Sequence, residues 1–513
     1  MERFSWQSAR SVPQAASLAT TTVADAMLAD PTADSVILKA GGIDVLDLMK
    51  ENLLRPGRLV NLREIPGLDA IAEDDAGVRI GAMATLQQVA SHPVLRQRYT
   101  ALADAVGSSA SPQIRNVATL GGNLLQRPRC WYFRSAAHYC ARKGGDPCFA
   151  FVGENQYHAV FAQYGCAIVH PSTAATALVA FGAHVELMSA QGASRSMPLA
   201  GFLLGPETDM MRENRLRAGE VLTAVVLPPV SSATRSVFLK QAEKPSFDWS
   251  IADVAVVLDC AADGRCSHAA IVLGAAAPIP WRAAQAEAAL AGQMIDDAVA
   301  RKAGEAAIAG AAPLRHNAYK LPIFTALVRR AVLQAAGGDA YVAGVSSGAA
   351  LSLLAAASGL NIKKLALYEA PFFVDKTGHQ PPADSGAQLK KMIAEGRRAD
   401  AVKFFMKDMV NVPGFAVFIM SIMPIFKKLK AVAHTLPYDA TVMGDFSLPV
   451  QKAGQVKIPT LVGGGGKSPA SMQNAVMQTA AAISGSELKM FPGQTHNISM
   501  KMLAPALTEF FNK

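Results

Sequence analysis

The sequence predicts an α+β protein followed by a second, parallel α/β segment, and three observations lead to that assignment. Strand-like and helical stretches follow one another through residues 1–336 without the regular strand–helix–strand alternation of a doubly wound fold. Composition then breaks: residues 1–336 hold 24 Arg and 7 Lys, residues 337–513 hold 2 Arg and 16 Lys, and all six cysteines precede the break. Just beyond it, residues 340–343 read as a strand running through Gly344-Val345-Ser346-Ser347-Gly348 into a small-residue helix at 349–357. The two parts look written under different coding habits, and 513 residues exceed what one ordinary core fills. The expected domains are 1–228 with a cysteine-rich insertion at about 126–170, then 229–336, then 337–513.

Taken in order, residues 35–40 read as a buried strand entering Gly41-Gly42, with a helix over 44–51. Strand, glycine turn and helix together present N–H groups and a helix N-terminus to an anion. A strand at 78–82 and a helix at 86–90 precede a second glycine turn, Thr119-Leu120-Gly121-Gly122-Asn123. Without a Cβ in the way, a phosphate can approach such a backbone closely. Two short glycine loops gripping one diphosphate is the functional reading, and two ordinary tight turns is the alternative. Neither loop is GxGxxG, so the Rossmann fingerprint is absent. Strand-like runs with turns fill 185–227, and strands follow at 236–241, 251–260 and 269–274. An alanine-rich helical region at 282–308 and a helix at 320–335 close this part.

Composition excludes several classes. With 51% hydrophobic and 17% charged residues the chain is globular rather than disordered. The charge of +9 is scattered without an arginine–aromatic stripe, which favours a basic surface over a nucleic-acid site. No apolar run reaches the ~20 residues of a membrane span. The longest, 414–426, is broken by Ser421 and Pro424 and followed by Lys427 and Lys428, and reads as a buried or capping helix. The N-terminus lacks the apolar stretch of a secretory signal.

Cys130, Cys140, Cys148 and Cys166 are spaced x9, x7 and x17. Structural zinc favours CxxC knuckles, which are missing, whereas an iron–sulfur cluster accepts thiolates from one irregular insertion. Arg127, Arg129, Arg134, Arg142 and Lys143 lie in the same insertion, and their charge would offset that of a thiolate-ligated cluster. Four ordinary thiols remain the alternative. Cys260 and Cys266 fall in a strand and its following turn and read as packing or surface thiols.

Between residues 4 and 335 the chain resembles the FAD-binding (medium) subunit of the molybdenum hydroxylases, the xanthine, aldehyde and carbon monoxide dehydrogenases. The resemblance lies in Lys39-Ala40-Gly41-Gly42-Ile43-Asp44-Val45, Ile80-Gly81-Ala82, Gln113-Ile114-Arg115-Asn116 and Thr119–Asn123, with His170-Pro171-Ser172, Gly219-Glu220-Val221-Leu222 and Pro280-Trp281-Arg282. The cysteine insertion and Gly153-Glu154-Asn155-Gln156-Tyr157-His158-Ala159 look like the flavin subunit of aldehyde oxidoreductases that hold an extra 4Fe-4S cluster. Benzoyl-CoA-type reductase subunits carry a similar insertion.

This resemblance implies an FAD-binding fold of the peroxidase/vanillyl-oxidase type, with a small C-terminal α+β domain. It implies FAD held by Leu38, Lys39, Ala40, Gly41, Gly42, Ile43, Asp44 and Val45 and by Thr119, Leu120, Gly121, Gly122 and Asn123. Leu222 would pack on the isoalloxazine and Lys240 would lie near the flavin ring. Thr173 stands where the family usually has Asp after Pro-Ser, which would weaken or replace a ribose or ribityl contact. Cys130, Cys140, Cys148 and Cys166 would hold the 4Fe-4S cluster. The implied partners are a molybdopterin-binding large subunit and a 2Fe-2S small subunit, in a heterotrimer or its dimer. The expected location is cytoplasmic, or periplasmic by co-export on a partner's signal.

The last part resembles the C-terminal half of an α/β-hydrolase, with further parallel strands at 365–368, 460–462 and 488–491. Ser346 would be the nucleophile and His496 the base. Lys467-Ser468-Pro469 stands where the acid is usual, and Glu369 is the substitute. The strands that should precede the elbow are absent, which leaves an apolar edge and removes half of the oxyanion hole. A truncated, inactive remnant of a fusion or gene-boundary error is therefore expected, with an interaction module and a working esterase as alternatives.

Overall fold

Among the described residues, three sheets make up the first part of the chain. Ser5–Ser8 (β1), Val36–Lys39 (β2) and Arg58–Asn61 (β3) form a parallel sheet in the order β1-β3-β2. Ile71–Asp74 (β4), Gly77–Gly81 (β5), His184–Ser189 (β6), Ser194–Pro198 (β7) and Glu220–Leu227 (β8) form an antiparallel sheet in the order β4-β5-β8-β6-β7. Its central strand β8 is an almost unbroken apolar run, because both its faces are covered. Helices Leu86–Ser91, Thr100–Gly107 and Thr173–Ala180 pack with this sheet in one core. Their starts are chemically marked: Thr85 and Gln88 form a reciprocal capping box, and Ser172 Oγ caps the third helix by accepting from Ala175 N.

The computed structural model describes every residue except 1, 29–33, 245–246, 262, 338–339, 361, 375–380, 383, 411 and 513. Its two compact units are Met1–Gly338 and Asp339–Lys513. The third sheet of the first unit joins Arg235–Gln241 (β9), Ala252–Cys260 (β10), Cys266–Gly274 (β11) and Trp281–Arg282 (β12) in the order β12-β11-β10-β9. Cys266 begins β11 opposite Cys260 rather than occupying the expected turn, because β11 starts three residues earlier than its apolar core suggests. Helices Ala284–Leu290, Asp297–Ala306 and Lys320–Ala335 share a core with this sheet. The cysteine insertion holds only short helical turns at Trp131–Arg134, Ala141–Lys143 and Phe149–Phe151.

The second unit is a four-stranded parallel sheet of Ala340–Val345 (β13), Ile362–Tyr368 (β14), Thr460–Gly465 (β15) and Glu487–Phe491 (β16), in that order. β13, the elbow strand, lies at an edge and pairs only with β14 among the described residues. Of the two readings of the apolar run at 414–426, a buried or a capping helix, the buried one does not hold. Pro424 divides it into Gly414–Ile422 and Pro424–Val432, and Phe415, Phe418, Ile419 and Ile422 are exposed while Val417 is buried. Hydrophobicity alone gave no information on which face of that helix meets the core. No helix among the described residues is long and apolar enough to cross a membrane.

Candidate cofactor site, cysteine cluster and tail triad

A cavity of about 530 Å³ opens between the first two sheets and the loops that follow them, within the usual range for a cofactor site. Leu38, Ala40, Gly41, Gly42, Ile43, Asp44 and Val45 line it from one side, and Thr119, Gly121, Gly122 and Asn123 from the other. Gly42, at φ +86°, turns the chain from β2 into helix Ile43–Lys50. The first N–H groups of that helix have no intrahelical acceptor and are available to an anion. The two glycine segments pack together: a Cβ on Gly41 would sit 2.3 Å from Val117 O and one on Gly122 3.8 Å from Ala40 Cβ, while one on Gly121 would sit 2.9 Å from Ala82 O just after β5. Glycines packed this closely on backbone, with a helix N-terminus beside them, fit a diphosphate-bearing cofactor such as FAD.

Acidic and basic groups fix the cavity wall. Asp44 accepts from Arg127 N at 2.8 Å and from Arg134 Nη2 at 2.6 Å, and pairs with Arg129 Nη2 at 2.8 Å. Arg127, Arg129, Glu213 and Trp249 also line the cavity. Lys240 Nζ donates to Ser108 O at 3.2 Å and to Asp248 O at 2.7 Å, and burial holds its pKa below the ordinary lysine value. Thr173 lines the cavity as well, its hydroxyl donating to Ala105 O at 3.1 Å and meeting Ser109 Oγ at 2.6 Å. A carboxylate there could not donate to that carbonyl.

The four cysteines of the insertion come together. Cys130, Cys140, Cys148 and Cys166, all reduced, line one small cavity with Tyr132, Phe133, Arg142, Phe149 and His158. His158 Nε2 lies 3.2 Å from Cys130 Sγ. Burial pushes the Cys130 thiol up to about 11. Cys166 is drawn down by a hydrogen bond from Cys148, against burial, with the Arg142 cation helping. Among the described residues no group of three or more His, Cys, Asp or Glu is arranged to hold a metal ion. Four converging thiols in an apolar, cation-edged cavity suit a multinuclear cluster, whose irons each take one thiolate.

Residues far along the chain hold this insertion. His316 N donates to Asn155 Oδ1 at 2.9 Å, and Asn317 Nδ2 donates to the carbonyls of His158 and Ala159 at 3.1 and 3.0 Å. The fully buried Lys320 Nζ donates to His158 O at 3.0 Å and Ala275 O at 2.6 Å. Phe161 stacks on Trp281 with centroids 4.6 Å apart.

In the second unit, Ser346 sits at the elbow between β13 and helix Ser347–Ala357 with φ 57° and ψ −131°, a conformation stored strain makes rare. Gly344 is required there, since a Cβ would lie 2.3 Å from Gly348 O. His496 Nε2 is 3.1 Å from Ser346 Oγ, and His496 Nδ1 is 2.9 Å from Glu369 Oε2. The carboxylate fixes Nδ1 as donor, leaving Nε2 to accept the serine proton. Glu369 is fully buried and also accepts from Gly465 N at 2.6 Å. Burial pushes its pKa up, but hydrogen bonds from His496, Ser468 and Gly465 outweigh this and leave it low.

A family model described as the FAD binding domain in molybdopterin dehydrogenase matches residues 2–230, and one described as the CO dehydrogenase flavoprotein C-terminal domain matches residues 237–335. The aldehyde oxidoreductase FAD-binding subunit PaoB of Escherichia coli K12 is 34% identical over 305 residues, covering 58% of this chain and 91% of that protein. This chain belongs to the FAD-binding subunits of the molybdenum hydroxylases. Among solved structures, a Cu,Mo-CO dehydrogenase chain matches at 25% identity and a TM-score of 0.50, covering 65% of this chain and 97% of that one. An α/β hydrolase from Sphaerobacter thermophilus is 42% identical, covers 39% of this chain and 77% of its own, and gives a TM-score of 0.33. The hydrolase-like character of the tail rests on its own parallel sheet, elbow and triad.

Placed in this molybdenum-hydroxylase flavin subunit, most of the expected cofactor residues line the cavity, including Leu222, but two do not. The Lys39 side chain turns away, with Nζ over the Trp6 ring at 5.2 Å and 3.3 Å from Ala40 O. Leu120 is fully buried in the core, and its N–H donates to Ala84 O. Lys39 ends strand β2, where successive side chains alternate faces, and Leu120 opens helix Leu120–Leu124 with its side chain in the core. Sequence reasoning missed Glu213, which lies in a loop without a motif, and missed Arg127 and Arg129 as cavity residues. Their clustering in the insertion was a visible signal, but it pointed to the cysteines rather than to the cofactor.

Proposed function

We propose that this chain is the FAD-binding electron-transfer subunit of a molybdenum-containing aldehyde or xanthine dehydrogenase complex, of the aldehyde-oxidising type. Its partners on this reading are a molybdopterin-binding large subunit and a 2Fe-2S small subunit. Its flavin fold is of the peroxidase/vanillyl-oxidase type. FAD supplies electron exchange between iron–sulfur centres and an external acceptor. The glycine loops bind its diphosphate, Asp44 fixes the helix that meets it, and Lys240 sets positive charge at the ring end of the cavity. Cys130, Cys140, Cys148 and Cys166 hold a 4Fe-4S cluster. The observation that supports this best is the convergence of four reduced cysteines on one cavity in a chain whose glycine loops form a second. An absorbance spectrum and iron assay on the purified chain test it. FAD with about four irons is expected from a Cys₄-ligated 4Fe-4S cluster, and Cys→Ser changes at all four positions should remove the iron and leave the FAD. Iron that survives those changes overturns the cluster assignment.

The assembled Ser346–His496–Glu369 triad favours a second activity, ester hydrolysis by the tail. Ser347 N–H is positioned in sequence to supply one oxyanion donor. The second donor belongs to a loop before the elbow strand, which this unit lacks, so turnover should be depressed by ~10²–10³. Covalent labelling by a fluorophosphonate that disappears in Ser346→Ala would establish it. Absence of labelling in the native chain would leave the tail as an inert remnant.

A further inference from the structure

One buried ion chain joins the walls of the two cavities. Glu213, only 6% exposed, pairs with Arg127 Nε at 3.3 Å and Arg142 Nη1 at 2.8 Å, and those guanidinium side chains are 4% and 1% exposed. Glu213 and Arg127 line the glycine-loop cavity, while Arg142 lines the cysteine cavity beside Cys166. The same arginines clamp the loop carrying the glutamate: Arg127 Nη1 donates to Met211 O at 3.0 Å and Arg142 Nη1 to Arg212 O at 3.3 Å. Arginine stays protonated inside proteins, so two cations share one carboxylate and a net positive charge is left between the sites. Buried ion triads of this kind often contribute less stability than apolar residues of equal volume. Their electrostatic reach is large, because water does not screen them.

We propose that Glu213 is a positioning residue that couples the two redox sites, setting the reduction potentials of both through Arg127 on the flavin side and Arg142 on the cluster side. The proposal rests on the assignment of FAD and a 4Fe-4S cluster to these cavities. Added electrons put negative charge into either cavity, and the net cation between them stabilises that charge at both. Removing the carboxylate charge strengthens the effect, and removing an arginine cancels it.

The test is a reductive titration of the full chain, with the flavin followed by visible absorbance and the cluster by paramagnetic resonance. It compares wild type, Glu213→Gln, Glu213→Asp and Arg142→Gln. Both midpoint potentials should rise in Glu213→Gln and return toward wild type in Glu213→Asp, which restores the charge. Both should fall in Arg142→Gln, the cluster further than the flavin. This opposite sign keeps the test decisive if Glu213→Gln does not fold. Variants that hold both cofactors but move only one potential or neither, or a Glu213→Gln and an Arg142→Gln that shift the potentials in the same direction as each other, overturn the proposal. A wild-type chain lacking flavin or iron overturns the underlying assignment, and the coupling with it.

Discussion

Replacing Gly41 by alanine tests the glycine cradle directly. The added methyl would meet Val117 O at 2.3 Å and Ala118 Cα at 3.1 Å, both backbone atoms that no rotamer change can move. The two loops must part until the contact approaches an ordinary separation of about 3.5 Å. Overpacking of this kind costs about 1–3 kcal/mol. If that strain falls on the bound geometry, FAD affinity drops about 5- to 150-fold. Titration of flavin-free chain with FAD, read by flavin fluorescence, measures the loss, and a thermal melt alongside it reports any general destabilisation. Gly201→Ala is the control, because a Cβ there meets nothing within 4 Å and the residue has no left-handed backbone. Unchanged FAD affinity and unchanged melting in Gly41→Ala would refute the view that this close approach shapes the site.

Three further outcomes are expected. Asp44→Asn removes the charge facing the largely buried Arg134 and Arg129 and should destabilise the first unit by about 3–5 kcal/mol, read by denaturant unfolding. Lys320, which burial lowers to about 7, titrates near 10.5 when unfolded, so the unfolded chain binds more protons between those values. Stability relative to Lys320→Met should therefore rise by about 2–3 kcal/mol from pH 7 to pH 9, and a flat difference between the two proteins would contradict the buried cation. Glu369 has a depressed folded pKa, so its contribution is present above the unfolded carboxylate value and fades as acid protonates it. Glu369→Gln should flatten the acid limb of the second unit's unfolding and abolish any Ser346 labelling.

Short-range signals were legible where a few adjacent residues decide the backbone. The strand into Gly41-Gly42 and the elbow at Ser346 appear where their local chemistry put them, whereas Thr119–Asn123, read as a glycine turn, is an N-cap and the start of the short helix Leu120–Leu124. Glu369 could be proposed because the usual acid position held Lys467-Ser468-Pro469, and the structure brings it to His496. Side-chain direction was less legible. Lys39 and Leu120 sit inside the right motifs but face away from the cavity, and the apolar run at 414–426 turns its large residues to solvent. The Glu213 pairings span 86 and 71 residues of sequence and leave no local pattern at all.

The hold of residues 316–320 on the cysteine insertion has a consequence for biogenesis. The four cysteines leave the ribosome early, yet Asn155, His158 and Ala159 among them are tied down by His316, Asn317 and Lys320. Until that later segment emerges, the thiols lack the frame that gathers them. On the proposed cluster assignment, the geometry sets an order of manufacture: polypeptide through Lys320 first, iron afterwards. A nascent chain stalled before residue 316 has the cysteines but lacks the contacts of His316, Asn317 and Lys320 that frame their cavity.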